Sequence, residues 1–170
     1  VADQENATVL RADVSFIDDY TIEVSDDSGQ ETVTGDKIFI NTGSTPVLPN
    51  VQGLKNSQHV FTSKTLLDQT QQTKNIAILG DGPIGLEFAA MYAKFGSQVT
   101  VVGQNKMILN QLEPEIANAA KEDMMTDGVQ FLLNSQLTKV TDMANGIILD
   151  IDTPNGGQTL HVDALLVATG

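Results

Sequence analysis

Residues 80–85 constrain the fold more than any other segment, because they have the sequence G-x-G-x-x-G and the segments on both sides have regular patterns of apolar residues. The apolar run 75–79 before them is typical of a parallel strand that is covered on both faces. After them, apolar side chains recur at the spacing of one helix face, at Ile84, Phe88, Met91 and Phe95. Gly96 suits a helix C-terminus, and a second apolar run, 99–102, follows. This order predicts a strand–helix–strand unit within a parallel α/β sheet.

The glycines of this segment have distinct physical roles. Gly80 permits a tight turn, Gly82 lets the backbone approach a pyrophosphate, and Gly85 lets helix and strand pack closely. The helix N-terminus offers free N–H groups and partial positive charge, and Pro83 lacks an N–H that would otherwise need a partner. We therefore predict a dinucleotide phosphate site at 80–85. Two alternatives stay open: the glycines only form a tight turn, or the loop binds FAD or another adenine nucleotide.

One expected feature of such a site is missing. NAD-binding folds place an acidic residue at the end of the second strand, where it accepts hydrogen bonds from the adenosine ribose. That position is Gly103, and no acidic residue follows before Glu113. Gly85 favours NAD, whereas the missing carboxylate and Lys106 favour NADP, so the preference stays open. The polar side chains available there are Gln104, Asn105 and Lys106.

The chain before the glycine-rich segment reads as strands and then as a connection. Residues 1–43 predict an antiparallel β-meander with a hairpin turn at 26–29, ending in a buried strand at 38–40. Residues 44–62 contain prolines and predict a crossing segment. Ser63 is the predicted N-cap of a short helix.

The chain after the second strand predicts a helix and then a second β layer. Pro114 suits a first helical turn, and Gly128 suits the end of that helix. The apolar run 129–133 is predicted as the first strand of the second layer. Turn residues follow at 145–146 and 154–157, and a final apolar run follows at 164–167. The fold class is thus a Rossmann-like, three-layer α/β domain, preceded by an antiparallel β fragment.

Composition excludes several classes of function. With 22 acidic and 9 basic residues the net charge is -13, which argues against nucleic acid and anionic membrane as partners. No apolar run reaches the roughly 18 to 20 residues that cross a bilayer, and we expect a cytoplasmic location. The chain has no cysteine, which excludes thiol catalysis within it, and we expect no metal site. His59 and His161 have no acid–base partners nearby in sequence, and we expect them to be ordinary surface or core residues.

Four segments resemble, in order and over essentially the whole chain, the flavoprotein disulfide reductases, that is, the class I pyridine nucleotide-disulfide oxidoreductases. Residues 38–44 resemble the Thr-Gly motif at which the chain of that family leaves the FAD domain, and 46–53 resemble its Pro-rich crossing. Residues 80–87 resemble its G-x-G-x-x-G-x-E loop, and 165–170 resemble its second Thr-Gly motif. Within the family, residues 37–43 are most similar to the reactive-chlorine-resistance reductases.

The resemblance implies that residues 1–43 belong to an FAD-binding domain and 44–170 to an NAD(P)-binding domain. It implies hydride transfer from NAD(P)H to FAD and onward to a disulfide. Glu87 would hydrogen-bond the nicotinamide amide or a lysine beside the flavin; alternatively it is a carboxylate stabilised by the helix dipole. The implied binding residues are Gly80, Gly82, Pro83, Ile84, Gly85 and Glu87 for the pyrophosphate and nicotinamide, Gly103, Gln104, Asn105 and Lys106 for the adenosine ribose, Ala168 and Gly170 for the nicotinamide half, and Thr42 and Gly43 for the FAD boundary.

The chain also departs from the family pattern. It contains no FAD-binding glycine loop, no redox-active cysteine pair and no C-terminal dimerisation domain with a His–Glu pair, and Pro83 replaces a common flavin-shielding aromatic. We therefore expect a part of a longer, homodimeric enzyme, with no catalytic residue here and no turnover by this part alone. Two alternatives stay open: a non-catalytic NAD(H)-binding sensor module, and a flavoprotein similar to NADH oxidase or ferredoxin reductase that does not use a disulfide.

Overall fold

A computed structural model describes residues 7–169 of the chain. The chain consists of two compact units, whose boundary lies between Ser44 and Thr45. Gly170, one of the predicted site residues, lies outside the described residues. Within the part described, no helix is long and apolar enough to cross a bilayer.

The first unit contains a three-stranded antiparallel sheet in the order β1-β2-β3. Its strands are β1 (Asp13–Asp18), β2 (Thr21–Asp26) and β3 (Gly29–Thr34). An aspartate closes each of the two turns: Asp18 accepts a hydrogen bond from the Tyr20 amide at 2.8 Å, and Asp26 accepts one from the Ser28 amide at 2.7 Å. These local bonds explain why the hairpins form where the sequence predicts them.

The predicted buried strand at 38–40 is wrong. These residues belong to no strand in the described chain, and the side chains of Phe39 and Ile40 are 86% and 73% exposed. An apolar strand needs a neighbour for its backbone and a layer to cover its side chains. The described residues of the first unit, 7–44, form a single sheet in which Val24 is the buried apolar residue, so they supply no covering layer.

The second unit consists of strands, helices and one 3-10 turn. In chain order they are the 3-10 turn Leu54–Asn56, β4 (Val60–Thr62), α1 (Ser63–Leu67), β5 (Asn75–Leu79), α2 (Pro83–Lys94), β6 (Gln98–Val102), α3 (Pro114–Thr126), β7 (Gln130–Leu132), β8 (Gln136–Met143), β9 (Gly146–Thr153), β10 (Gly156–Val162) and β11 (Ala164–Val167).

A five-stranded parallel sheet, in the order β4-β11-β5-β6-β7, forms the middle layer. One face packs against the helices, through residues such as Leu86 and Ala89 of α2 and Met124 of α3. The other face packs against the antiparallel sheet β10-β9-β8, through residues such as Ile147 and Leu149. Both faces of the parallel strands are thus covered, as their continuous apolar sequence requires. The predicted three-layer α/β fold is confirmed.

The ends of the two long helices follow the predicted chemistry. Pro83 and Pro114 are the first residues of α2 and α3. Gly96 and Gly128 follow the helix ends with φ of 87° and 90°, the left-handed conformation that favours glycine. These four residues fix where the helices begin and end.

The predicted apolar face of α2 is wrong at its two ends, whereas its central residues Phe88 and Met91 are partly buried and pack against the core. Ile84 and Phe95 are 51% and 60% exposed, while Leu86, Ala89 and Tyr92 are buried. Both faces have the same helical spacing, so periodicity alone cannot choose between them. Gly85 determines the rotation of the helix, because it has no side chain and can pack directly against the carbonyl oxygen of Gly80. This contact turns the face of residues 85, 89 and 92 toward the sheet.

The predicted place of the run 129–133 is also wrong. Its central part is β7, which pairs in parallel with β6 in the middle sheet and does not belong to the second β layer. Helix α3 forms the crossover that brings β7 parallel to β6, the usual connection between adjacent parallel strands. The antiparallel layer begins only at β8.

Helix α1 is capped by Thr62 and not, as predicted, by Ser63. The Thr62 hydroxyl accepts a hydrogen bond from the Thr65 amide at 3.3 Å, and the Thr65 hydroxyl accepts one from the Thr62 amide at 2.9 Å. This reciprocal pair is a capping box, which satisfies two backbone donors at once.

We expect Thr62→Ala to lower the free energy of unfolding by about 1 kcal/mol, the usual contribution of a threonine cap. The matched change Ser63→Ala, one residue further on, should cost less than about 0.5 kcal/mol. Urea denaturation of both variants measures the difference. A larger loss for Ser63→Ala would contradict the capping box.

Candidate functional site

The glycine-rich loop lies at the carboxyl edge of the middle sheet, between the ends of the neighbouring strands. The Gly80 amide donates to the Val102 carbonyl at 2.9 Å, which ties the loop to the end of β6. The Ala168 amide donates to the Leu79 carbonyl at 2.8 Å, which ties the end of β11 to the end of β5. Ligands of open α/β sheets bind at this edge.

Glycine is required at two positions by the chain itself. Gly80 has φ of 131°, and a Cβ there would lie 2.3 Å from the carbonyl oxygen of Ala168. A Cβ at Gly85 would lie 2.4 Å from the carbonyl oxygen of Gly80. Both obstacles are backbone atoms, which cannot move without shifting a strand or the helix. These two glycines therefore allow β11, β5 and α2 to pack closely.

Gly82 differs, because nothing in the described chain requires a glycine there. Its φ of −87° and ψ of 179° are ordinary extended backbone that any residue adopts. A Cβ at this position would have no heavy atom within 4 Å beyond those of Gly82 and its two chain neighbours. The space beside Gly82 is open, and only an approaching ligand would meet a side chain there.

In the described chain, backbone donors without a protein acceptor occur at Gly82 and in the first turn of α2. The first helical bond of α2 runs from the Leu86 amide to the Gly82 carbonyl at 3.1 Å. Within residues 7–169, the amides of Gly82, Ile84 and Gly85 donate to no protein acceptor. Free amides at the N-terminus of a 12-residue helix attract anions through hydrogen bonds and the helix dipole.

The glycine-rich loop carries a carboxylate, Asp81, that the sequence pattern did not single out and that hydrogen-bonds to the loop after β6. Asp81 accepts hydrogen bonds from the backbone amide and from the side-chain amide of Asn105, at 3.1–3.2 Å. Its side chain lies against Gly103, whose absent Cβ would be 2.4 Å from Asp81 Oδ2. An acidic residue inside the glycine pattern, together with a glycine at the strand end, is the signal that could have indicated this arrangement.

The other predicted residues of the second unit occupy several positions around this edge. Gln104 and Lys106 are exposed on the loop after β6. Pro83 is exposed at the start of α2. Glu87 is exposed on α2 beyond its first turn, which contains no acidic residue, so the helix-dipole alternative for Glu87 has little support. Ala168 is partly buried beside Gly80.

The remaining predicted residues are not part of the glycine-rich loop. Thr42 and Gly43 belong to the first unit, and their assignment to a flavin boundary stays a prediction. His59 Nδ1 lies 3.1 Å from the carbonyl oxygen of Asp163, and no carboxylate in residues 7–169 pairs with it. In the described residues, no group of three His, Cys, Asp or Glu side chains is placed to hold a metal ion.

Comparisons with known proteins agree on one family. The family model for pyridine nucleotide-disulphide oxidoreductases matches residues 3–170. The probable pyridine nucleotide-disulfide oxidoreductase RclA of Escherichia coli is 32% identical over 170 residues, which are 100% of this chain and 38% of that relative. The solved structure of HOCl-induced flavoprotein disulfide reductase RclA from Escherichia coli has a TM-score of 0.81 at 32% identity, over 99% of this chain and 37% of that one.

A second solved structure extends the similarity. Water-forming NADH oxidase from Lactobacillus brevis, bound to NADH, has a TM-score of 0.71 at 25% identity, over 93% of this chain and 36% of that one. The chain thus spans less than two fifths of the length of each of these relatives. The resemblance predicted from the four sequence segments is confirmed. The chain belongs to the pyridine nucleotide-disulphide oxidoreductase family.

Proposed function

We propose that the second unit binds NAD(P)H, with the pyrophosphate held by the amides of residues 80–85. The main support for this proposal is the surroundings of Gly82. Its backbone geometry is ordinary and there is open space for a side chain, and the nearby amides have no protein acceptor within the described residues. A bound diphosphate would use both the space and the donors, and the dipole of α2 would favour its charge.

The surrounding residues fit the two halves of a dinucleotide. Gly103, Gln104, Asn105 and Lys106 lie on the loop after β6, where the adenosine ribose binds in such folds. Ile84, Glu87 and Ala168 would border the nicotinamide half, and the 51% exposed Ile84 side chain would be covered by it. When bound, the nicotinamide supplies a hydride, and the residues of this chain hold and orient it.

For the whole protein we propose a cytoplasmic, homodimeric oxidoreductase that passes the hydride to FAD and its electrons to a disulfide. The RclA similarity supports this proposal. In it, residues 1–43, with Thr42 and Gly43, complete the FAD-binding domain, and residues 44–170 form the NAD(P)-binding domain. The chain has no cysteine, so the redox pair would lie in another part of the protein.

A second candidate is a flavoprotein that uses nicotinamide and flavin without a disulfide. The similarity to the water-forming NADH oxidase favours it, since an oxidase that forms water passes its electrons to oxygen and not to a disulfide. The two candidates share the site described above and differ in the electron acceptor. A cysteine pair in the rest of the protein would support the disulfide reductase, and its absence would support the oxidase.

We expect the 170-residue chain to bind NADH or NADPH but to show no turnover with FAD added. It has no cysteine and contains only residues 1–43 of the proposed FAD-binding domain, so a hydride would have no positioned acceptor. Calorimetric titration measures binding, and absorbance at the reduced-nicotinamide band measures turnover with FAD and a disulfide. Nucleotide oxidation above the rate of the protein-free mixture would contradict the prediction.

A further inference from the structure

Asp81 fills the volume that a side chain at the end of β6 would otherwise enter. A Cβ on Gly103 would lie 2.4 Å from Asp81 Oδ2, and 2.8 Å from both Asp81 Cβ and Cγ. The carboxylate therefore reaches from the glycine-rich loop across to the end of the neighbouring strand. Gly103 accommodates it, because any larger residue there would collide with it.

Hydrogen bonds hold the carboxylate in this place. The Asn105 backbone amide donates to Oδ2 at 3.2 Å, and Asn105 Nδ2 donates to Oδ1 at 3.1 Å and to Oδ2 at 3.2 Å. The Asp81 carbonyl accepts from the Leu109 amide at 3.0 Å, which anchors the backbone of the same residue. Asp81 is thus positioned before any ligand binds, which lowers the cost of ordering it.

The carboxylate keeps capacity for a ligand. A carboxylate accepts about four hydrogen bonds, and Oδ1 receives only one of those described. The side chain is partly exposed. Within residues 7–169 the ion pair present joins Lys94 and Asp127, so no cation neutralises Asp81. A negative charge with a free acceptor therefore lies at the strand end, where dinucleotide folds bind the adenosine ribose.

We propose that Asp81 replaces the missing strand-end acid and makes the site select NADH over NADPH. This inference rests on the proposed function. The carboxylate would accept hydrogen bonds from the ribose hydroxyls of NADH and would repel the 2′-phosphate of NADPH. Lys106, exposed on the same loop, acts in the opposite direction, because its ammonium group attracts a phosphate. Asp81 lies against Gly103 at the strand end and is fixed by Asn105, so we expect its effect to dominate.

The test is calorimetric titration of the 170-residue chain with NADH and with NADPH at one ionic strength. We expect the wild-type chain to bind NADH about tenfold more tightly, the effect of one hydrogen-bonded charge. Asp81→Asn keeps the shape and removes the charge, and it should reduce the ratio of the two affinities about tenfold. Asp123→Asn, an exposed change on α3 with the same change in net charge, should leave the ratio unchanged.

A double variant separates charge from local structure. In Asp81→Gly, Gly103→Glu the carboxylate returns to the strand end, and we expect the NADH preference to return with it, even if Asp81→Asn is unstable. An unchanged ratio in Asp81→Asn, or equal binding of both nucleotides by the wild-type chain, would overturn the role of Asp81 while leaving the dinucleotide site intact. Failure of the wild-type chain to bind either nucleotide would overturn the proposed function as well.

Discussion

Gly82→Val is expected to weaken NAD(P)H binding by about a hundredfold, the loss of roughly two charge-assisted hydrogen bonds. The valine side chain would stand in the open space beside the amides of Ile84 and Gly85 and keep a diphosphate away from them. The fold should survive, because φ of −87° suits valine and no atom beyond the adjacent residues lies within 4 Å of its Cβ. Calorimetric titration measures the affinity, and urea denaturation measures the stability.

The chain offers a matched control for this change. Gly157 in β10 also has open space at its Cβ position and is not part of the proposed site. Gly157→Val should bind NAD(P)H as the wild-type chain does, and Gly82→Val should change the free energy of unfolding by about 1 kcal/mol or less. Retained affinity in folded Gly82→Val would show that the diphosphate does not approach this loop.

Gly85→Ala is expected to destabilise the fold by about 2 kcal/mol. Its Cβ would meet the Gly80 carbonyl oxygen at 2.4 Å, and forcing a methyl group into such a contact costs up to about 3 kcal/mol. Alanine recovers about 1 kcal/mol through its better helix propensity, so the clash prevails. Urea denaturation of Gly85→Ala and of Gly82→Ala, whose Cβ meets nothing, isolates the clash. Equal or higher stability of Gly85→Ala would mean that α2 does not pack against Gly80 this closely.

Much of the fold follows from local chemistry in the sequence. The run 75–79 and the prolines and glycines at the ends of α2 and α3 predict their elements because strand burial, missing amides and positive φ are properties of single residues. The loop 80–82 is predictable for the same reason. The spacing of its glycines is recognisable in the sequence, and the predicted strand before them and the predicted helix after them indicate a turn between the two.

What the sequence could not predict depends on contacts between distant residues. The rotation of α2 about its axis is set by the contact of Gly85 with Gly80. Two apolar faces of the helix have the same spacing in the sequence, so the spacing does not show which of them is buried. The place of β7 depends on the crossover through α3, because an apolar run fits either layer. The link from Asp81 to Asn105 joins residues 24 positions apart and leaves no periodic trace. The strand predicted at 38–40 failed because the first unit offers no layer to cover it.

The most direct test of the diphosphate site is an amide-resolved NMR titration of the uniformly ¹⁵N-labelled chain with NAD⁺ and, separately, with pyrophosphate. Both ligands should shift the amides of Gly82, Ile84 and Gly85 more than the later amides of α2, because these N–H groups would donate to the phosphate oxygens. Only NAD⁺ should also shift the amides of Gln104 and Asn105. Shifts that leave residues 80–85 unchanged while appearing elsewhere in the second unit would contradict the account.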